Sequence, residues 1–337
     1  MLIRTVLDCR PDSPKYLCGV LLLSASWARR VAPTAPLEVL LIGDPPETLL
    51  GFFAKMGVRW QMVNPDPELA FVPTGNTLLG AEARGEEERI LLVDNDICFL
   101  SDVKPLLAIP PNRMAGAPAG NVRVTEAQWA EIESALDLAP LRHLWTETQS
   151  QMAALQSDDV EIRQNTHTYV NGGVLLLPQD DAFVATWRDH LLRIAAHFRG
   201  HPLRSKAVLE SNMAGLATAI GAHGDFQWLP DGMNCRHRSL LLNVLPLEEI
   251  DILHMTGGPA TEGDFPPDSH VSAYVAGYWQ TRVMDKLTLL ETAHGPRAFA
   301  EATDTVRAIM AETADLIRAY DLDAVMAMIL EERRGAR

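Results

Sequence analysis

Two aspartates separated by a single residue are the feature of this sequence that points most directly to chemistry. Asp94, Asn95 and Asp96 follow four consecutive aliphatic residues at positions 90–93. Such an unbroken apolar run predicts a strand buried on both faces, and open α/β sheets bind their ligands at the carboxyl ends of their strands. Two carboxylates this close repel each other, and a hard divalent cation such as Mg²⁺ or Mn²⁺ would stabilise them. The alternative is a strand-end turn with two solvated aspartates.

Two further stretches place polar residues beside strands. Asn171, Gly172 and Gly173 precede the aliphatic residues 174–177. A glycine pair either lets a ligand approach the backbone closely or marks a β-bulge. His254 directly follows the short apolar run 250–253. A lone histidine in this position is most often a satisfied polar residue, so its role depends on what lies near it.

The elements that would position these residues alternate along the chain. Short apolar runs at 3–7, 37–42 and 58–63 are separated by helical patterns at 16–30 and 48–56. This alternation with short connections predicts a parallel, nucleotide-binding type of α/β sheet, which is a fold class and not a function. Further helices are predicted at 181–197, 203–220 and 302–332. A helical insertion at about 122–156 would shape a pocket for a second substrate or simply pack.

Composition excludes several classes of protein. The 337 residues are 47% hydrophobic and 22% charged, as in a globular protein, and no apolar stretch is long enough for a membrane span. The net charge of −15 opposes binding to nucleic acid or anionic lipid. The four cysteines form no CxxC pair, so reduced thiols are expected. The first residues carry no signal-peptide pattern, which makes a cytoplasmic location the default expectation.

Taken in order, these features resemble those of a known family. A first strand ends in Asp8 and is followed by KYLCGVLLLS, the Asp-x-Asp strand, VNGGVLLL and the segment HMTG that begins at His254. Over residues 1–260 this succession resembles the glycosyltransferases of the GT-A fold, in particular family 8, the galactosyltransferase and glycogenin-like group. The resemblance implies an α/β domain over residues 1–275, with a mixed sheet flanked by helices, and a C-terminal helical extension over residues 276–337.

The resemblance also implies an activity and a set of site residues. The activity is the metal-dependent transfer of a sugar from a nucleotide diphosphate sugar, a UDP-sugar, to an unidentified acceptor, with retention at the anomeric carbon. The metal, Mn²⁺ or Mg²⁺, would be held by Asp94, Asp96 and His254. Glu210 is the candidate catalytic residue, because a carboxylate facing the anomeric carbon could stabilise an oxocarbenium-like centre. The residues assigned to the donor are Asp8 at the uracil, Asn171 and Gly172 at the sugar, and Tyr16, Asn95 and Gly257.

Departures from the family pattern keep other interpretations open. Residues 258–260 are GPA where the family has a Lys-Pro-Trp that holds the diphosphate, and residues 209–211 are LES where it has Asp-Gln-Asp. A non-catalytic sugar-nucleotide binder of the same fold would show such changes. A phosphatase-like hydrolase with Asp94 as nucleophile is a third interpretation, although Cys98 stands where such enzymes have Thr or Val. For the apolar stripe of the final helix, core packing is the default and a homodimer interface is the alternative.

Overall fold

The computed structural model describes residues 1–10, 14–70, 72, 75–83, 85–119, 124–138, 169–204, 212–242, 245–256, 270–288 and 300–335. Within these residues the fold is mixed α/β, as the sequence predicts. The strands are β1 (Leu2–Asp8), β2 (Leu37–Ile42), β3 (Arg59–Val63), β4 (Arg89–Val93), β5 (Ile97–Phe99), β6 (Met114–Pro118), β7 (Val170–Pro178), β8 (Phe226–Trp228), β9 (Cys235–Arg236) and β10 (Ile252–His254). The helices are α1 (Pro14–Arg30), α2 (Glu47–Met56), α3 (Asn76–Glu82), α4 (Glu126–Leu136), α5 (Asp181–His197), α6 (Met213–His223), α7 (His237–Leu242), α8 (Val271–Tyr278), α9 (Ala300–Ala319) and α10 (Leu322–Gly335).

The strands form two sheets. Seven of them make a mixed sheet in the order β3-β2-β1-β4-β7-β6-β8, and β5, β10 and β9 make a small sheet with β10 in the middle. The chain divides into two compact units. We call residues 2–63, 94–108 and 230–337 the terminal unit, and residues 64–93 and 109–229 the central unit. The boundary expected near residue 275 stays a prediction.

Parallel strands form the base of the terminal unit. β1 pairs with β2, and β2 pairs with β3, both in parallel. β1 and β2 are almost completely buried, as expected for parallel strands that are covered on both faces. Arg4 on β1 lies opposite Glu38 on β2 and forms an ion pair of 2.6 Å with it. This ion pair places a counter-charge beside a guanidinium that has no exposed surface.

The C-terminal helices belong to the terminal unit. Helix α1 packs against β5 and against α8, α9 and α10. The apolar stripe of the last two helices includes Val306, Ile309 and Ile329, all fully buried within the chain. Core packing therefore accounts for this stripe. The predicted single helix at 302–332 is wrong, because the left-handed backbone of Asp321, with φ of 52°, separates α9 from α10.

Antiparallel pairing dominates the central unit. β4 pairs with β7, with Val93 opposite Val174, and β7 pairs with β6, while β6 and β8 are parallel. The core beneath them contains Leu92, Leu175 and Trp187, and all five residues of β4 are buried, as the sequence predicts.

Two predicted helices of the central unit differ in extent. Helix α4 begins with a capping box between Thr125 and Gln128 and ends at Leu136, because Asp137 takes a left-handed conformation. The rest of the predicted insertion, residues 139–156, lies outside the described residues. Helix α6 begins at Met213 and not near residue 203, since Leu203 lies in a turn. No described helix has the length and apolar character that crossing a membrane requires.

Candidate metal centre

The three predicted metal ligands lie together in the terminal unit. His254 Nε2 is 3.6 Å from Asp94 Oδ2 and 3.1 Å from Asp96 Oδ1. One ligand atom from each residue lies within 4.8 Å of the others. The imidazole is 1% exposed, whereas the side chains of Asp96 and Asp94 are 20% and 41% exposed. The cluster therefore has a buried floor and an open side through which solvent or a ligand could reach the carboxylates.

Strand pairing brings His254 to the aspartates, although about 160 residues of chain separate them. β10 runs antiparallel to β5, and His254 is the register partner of Ile97, the residue that follows Asp96. The pairing continues past the end of the strand, since the backbone N–H of Met255 donates to the carbonyl of Asp96 at 2.9 Å. The backbone of this small sheet thus fixes the position of the imidazole.

Helix α1 packs directly against the turn that carries the aspartates. A Cβ atom added to Gly19 would lie 2.5 Å from the carbonyl oxygen of Asn95 and 3.6 Å from the Cα of Asp96. No side chain fits there without movement of the backbone. A glycine at this position therefore allows the helix to approach the turn. Its occurrence inside the aliphatic run of α1 is the one signal in the sequence that could have revealed this role.

A hydrogen bond with Asn234 orients the histidine. His254 Nδ1 lies 2.9 Å from Asn234 Oδ1. Because an amide oxygen only accepts, Nδ1 must be the donor, and in the neutral ring Nε2 keeps its lone pair facing the two carboxylates. Asn234 is 1% exposed. A tight turn holds it in place, since a Cβ on Gly232 would lie 1.7 Å from the carbonyl oxygen of Glu249.

The charges of the cluster are strongly coupled. Burial and the charge of Asp96 raise the pKa of Asp94 to about 6, although attraction to His254 opposes them. Burial would also raise the pKa of Asp96, but the charge and contact of His254 outweigh it, so that this pKa is lowered. Burial would lower the pKa of His254, and the two aspartates reverse this and raise it. Solvent screening weakens the charge interactions of Asp94, whose side chain is two-fifths exposed.

The donor set fits a divalent cation. His254 Nε2 and Asp96 Oδ1 are buried, and neither makes a hydrogen bond of ordinary geometry with the described residues, although they are 3.1 Å apart. Two carboxylates and an oriented imidazole suit Mn²⁺ or Mg²⁺ better than an all-oxygen cation such as Ca²⁺. A cation between them would satisfy the buried nitrogen and remove the repulsion between the aspartates.

Two of the residues assigned to the donor, Asp8 and Tyr16, lie in the same unit. Asp8 ends β1, and its carboxylate accepts hydrogen bonds from Arg10, at 3.0 Å from the backbone N–H and at 2.9 and 2.6 Å from the guanidinium. This pairing engages both oxygens of Asp8, and residue spacing alone does not predict it. Tyr16 lies in the first turn of α1, and the ammonium group of Lys15 is 4.9 Å from the centre of its ring.

The remaining predicted residues belong to the central unit or lie outside the described residues. Asn171 and Gly172 lie on β7 of the central unit. The Asn171 side chain accepts from the backbone N–H of Gly173 at 3.0 Å, and the pairing of β6 with β7 shifts register here, as it would at a bulge or another irregularity. A Cβ on Gly172 would meet only Asn212 Oδ1, at 3.7 Å. Glu210 and Gly257 lie outside the described residues.

A second group of potential ligands lies in the central unit. Glu131 Oε2 is 3.2 Å from His197 Nε2 and 3.8 Å from His201 Nε2. However, the backbone N–H of Leu203 donates to Nδ1 of His201 at 3.1 Å. In the neutral ring Nε2 therefore carries the proton and has no lone pair for a metal. We interpret this group as a hydrogen-bonded cluster that joins α4 to the end of α5.

No protein-family model matches the chain, and no curated protein sequence does. Among solved structures, it is similar to the glycosyltransferase GlyE of Streptococcus pneumoniae TIGR4, with 15% identity and a TM-score of 0.44 over 75% of this chain and 54% of that one. It is also similar to the galactosyltransferase LgtC in complex with donor and acceptor sugar analogues, with 14% identity and a TM-score of 0.46 over 84% of this chain and all of that one. Mouse xyloside xylosyltransferase 1 matches with 12% identity and a TM-score of 0.44, over 75% of this chain and 96% of that one. This chain spans about half the length of the GlyE chain.

Proposed function

We propose that this chain is a metal-dependent glycosyltransferase that moves a sugar from a nucleoside diphosphate sugar, a UDP-sugar, to an acceptor. The observation that carries the proposal is the convergence of Asp94, Asp96 and His254, with His254 Nε2 facing both carboxylates. The sequence resemblance to family 8 and the fold support it. Acceptor identity is left open, because residues 139–156 of the insertion expected to shape a second-substrate pocket lie outside the described structure.

The roles of the chain's own residues follow from the geometry. A cation held by the cluster would supply Lewis-acid stabilisation to the departing diphosphate. Asn234 keeps Nε2 of His254 available as a ligand, because its Oδ1 accepts a hydrogen bond from the Nδ1–H group. Gly19 brings the first turns of α1, which carry Tyr16, against the aspartate turn. The site is thus assembled by backbone packing before any ligand binds, which limits the ordering cost of binding.

Several parts of the proposal rest on the resemblance alone. They are Glu210 as the carboxylate facing the anomeric carbon, retention of configuration, Asn171 and Gly172 as contacts to the donor sugar, and Asn95 and Gly257 as contacts to the nucleotide. Asp8 can contact the uracil only if its hydrogen bonds change, because both of its oxygens already accept from Arg10. A base that binds there must either share Asp8 with Arg10 or displace it.

The test is a donor assay with a matched pair of variants. The wild-type protein is incubated with UDP-sugars and Mn²⁺, and release of UDP is followed with and without EDTA. We expect release that requires Mn²⁺ and falls by about a hundredfold or more in Asp96→Asn, which keeps the shape of the side chain and removes its charge. Asp304→Asn is the control, because Asp304 is 79% exposed and lies on α9. Turnover that is unchanged in Asp96→Asn would contradict the proposal, and nucleotide binding without turnover would favour a non-catalytic binder.

A further inference from the structure

A lysine lies one helical turn before the glycine that touches the aspartate turn. Lys15 and Gly19 are four residues apart on α1 and therefore share a face of the helix. Gly19 packs against Asn95 and the backbone of Asp96. Lys15 therefore lies one helical turn nearer the amino end of α1 than the contact with the aspartate turn, and its side chain is partly buried. Its ammonium group is 4.9 Å from the centre of the Tyr16 ring.

The charge of Lys15 acts on the cluster itself. Among the described residues, its positive charge contributes to lowering the pKa of Asp96. The other cation that acts on the cluster is Arg236, which is 8% exposed and is the register partner of His254 on β9. The two cations therefore lie on different elements around the cluster. Arg236 lies behind His254 in the small sheet, whereas Lys15 is on the helix that packs against the aspartates.

Charge balance shows what such a cation could do when a nucleotide binds. With both aspartates ionised and His254 neutral, the cluster carries two negative charges, which a divalent cation cancels. The diphosphate of a nucleotide sugar then adds about two more negative charges in a partly buried place, and each needs a donor or a counter-charge. The protein has a net charge of −15, so its overall field does not supply one. Residues 258–260 have no basic side chain either.

We propose that Lys15 binds the diphosphate of the nucleotide sugar. The proposal rests on the proposed function for its ligand. It assigns to the first turn of α1 the positive charge that the sequence after His254 does not provide. The amino end of a helix of 17 residues, with Pro14 as its first residue, adds a favourable partial charge at the same place.

The proposal predicts effects of opposite sign on two ligands. Without the ammonium group, Mn²⁺ alone meets less repulsion near Asp96 and binds as tightly as in the wild type or about twofold tighter. UDP in the presence of Mn²⁺ loses a charged hydrogen bond, and its Kd rises about tenfold or more. A residue that only supports the fold would weaken both ligands together. The ratio of the two affinities therefore separates a ligand contact from a structural role.

The experiment measures binding and does not depend on turnover. Titration calorimetry with Mn²⁺, with UDP plus Mn²⁺ and with uridine is carried out on the wild type, Lys15→Gln, Lys15→Arg and Lys55→Gln. Lys55 is the control, an exposed lysine in the last turn of α2. We expect Lys15→Gln to weaken UDP selectively, with uridine unchanged, and Lys15→Arg to remain within about threefold of the wild type.

The outcomes distinguish this inference from the proposed function. If the wild type binds UDP with Mn²⁺ but transfers no sugar, the proposed activity fails while a selective loss in Lys15→Gln still supports the role of Lys15. An affinity of Lys15→Gln for UDP within twofold of the wild type overturns the inference, as does an equal loss of Mn²⁺ and UDP. If the wild type does not bind UDP with Mn²⁺, both proposals are overturned.

Discussion

Replacing Asn234 by alanine is the sharpest test of how the cluster is prepared for a metal. In the wild type, Asn234 Oδ1 accepts from His254 Nδ1 at 2.9 Å, and both side chains are 1% exposed. The variant removes the acceptor without changing any of the three ligand residues. His254 can then keep its proton on Nδ1, which has lost its Asn234 acceptor, or move it to Nε2, which faces the charged Asp96 Oδ1.

The two choices have different costs. A buried N–H without an acceptor costs about 1–3 kcal/mol, which corresponds to about 5- to 150-fold in an equilibrium constant. Moving the proton to Nε2 avoids this cost in the metal-free protein, because Asp96 Oδ1 is only 3.1 Å away. A metal at Nε2 requires the first tautomer. The cost therefore falls on metal binding, and we expect Mn²⁺ to bind about 10- to 100-fold more weakly while the melting temperature changes little.

The assay combines Mn²⁺ titration, followed by the electron paramagnetic resonance of the free ion, with thermal unfolding of the metal-free protein. Asn234→Asp keeps an acceptor for Nδ1 and is expected to retain tight binding. Asn112→Ala, at an exposed asparagine of the central unit, is the control. The reasoning is refuted if Asn234→Ala binds Mn²⁺ within about twofold of the wild type, because the orientation of the imidazole would then not depend on its second-sphere partner.

Three further substitutions test the contacts that stabilise the site and each unit. Gly19→Ala places a Cβ 2.5 Å from the Asn95 carbonyl oxygen. We expect the free energy of unfolding, measured with denaturant, to fall by about 1–3 kcal/mol and Mn²⁺ to bind more weakly. Unchanged values would show that α1 can move away from the turn at no cost. Glu332 accepts the N-terminal backbone N–H groups of α2 at 2.6 and 3.0 Å, so Glu332→Gln should lose about 0.5–1 kcal/mol. Its pKa is lowered by these hydrogen bonds, so the difference from the wild type should disappear as the pH falls through the folded pKa. Arg188→Met leaves Asp66 and two neighbouring glutamates without their shared cation and should lose about 1–3 kcal/mol, an effect that high salt should reduce only partly.

The sequence was sufficient for the strand that carries the aspartates. Four aliphatic residues followed by Asp-Asn-Asp predict a buried strand and a polar turn, and β4 is buried along its whole length. Helix boundaries marked by local chemistry were also predictable, because Gly57 ends α2 in a left-handed conformation and Thr125 caps α4. These features depend on neighbouring residues only. Local pattern is therefore enough to predict them.

Contacts between distant segments could not be derived in this way. Nothing in the local pattern of residues 250–254 shows that β10 pairs with β5, and it was the resemblance to a family that linked His254 to the aspartates. The partner of His254, Asn234, lies in a short turn without a distinctive motif. The pairing of Asp8 with Arg10 depends on side-chain conformation, which spacing does not determine. The proposed role of Lys15 depends on the contact between Gly19 and the aspartate turn, which the sequence does not show.

The small sheet explains why a three-residue strand is enough to define the site. Side chains alternate along a strand, so a slip of one residue in β10 would turn His254 away from the carboxylates. Backbone hydrogen bonds on both sides of β10 oppose such a slip. Before it, the N–H of Leu100 donates to the carbonyl of Asp251 at 2.8 Å, and the N–H of Asp251 donates to the carbonyl of Gly232 at 3.0 Å. After it, the N–H of Met255 donates to the carbonyl of Asp96 at 2.9 Å. The register of the ligand histidine is thus fixed by the same turn that positions Asn234 and by the same aspartate that would bind the metal.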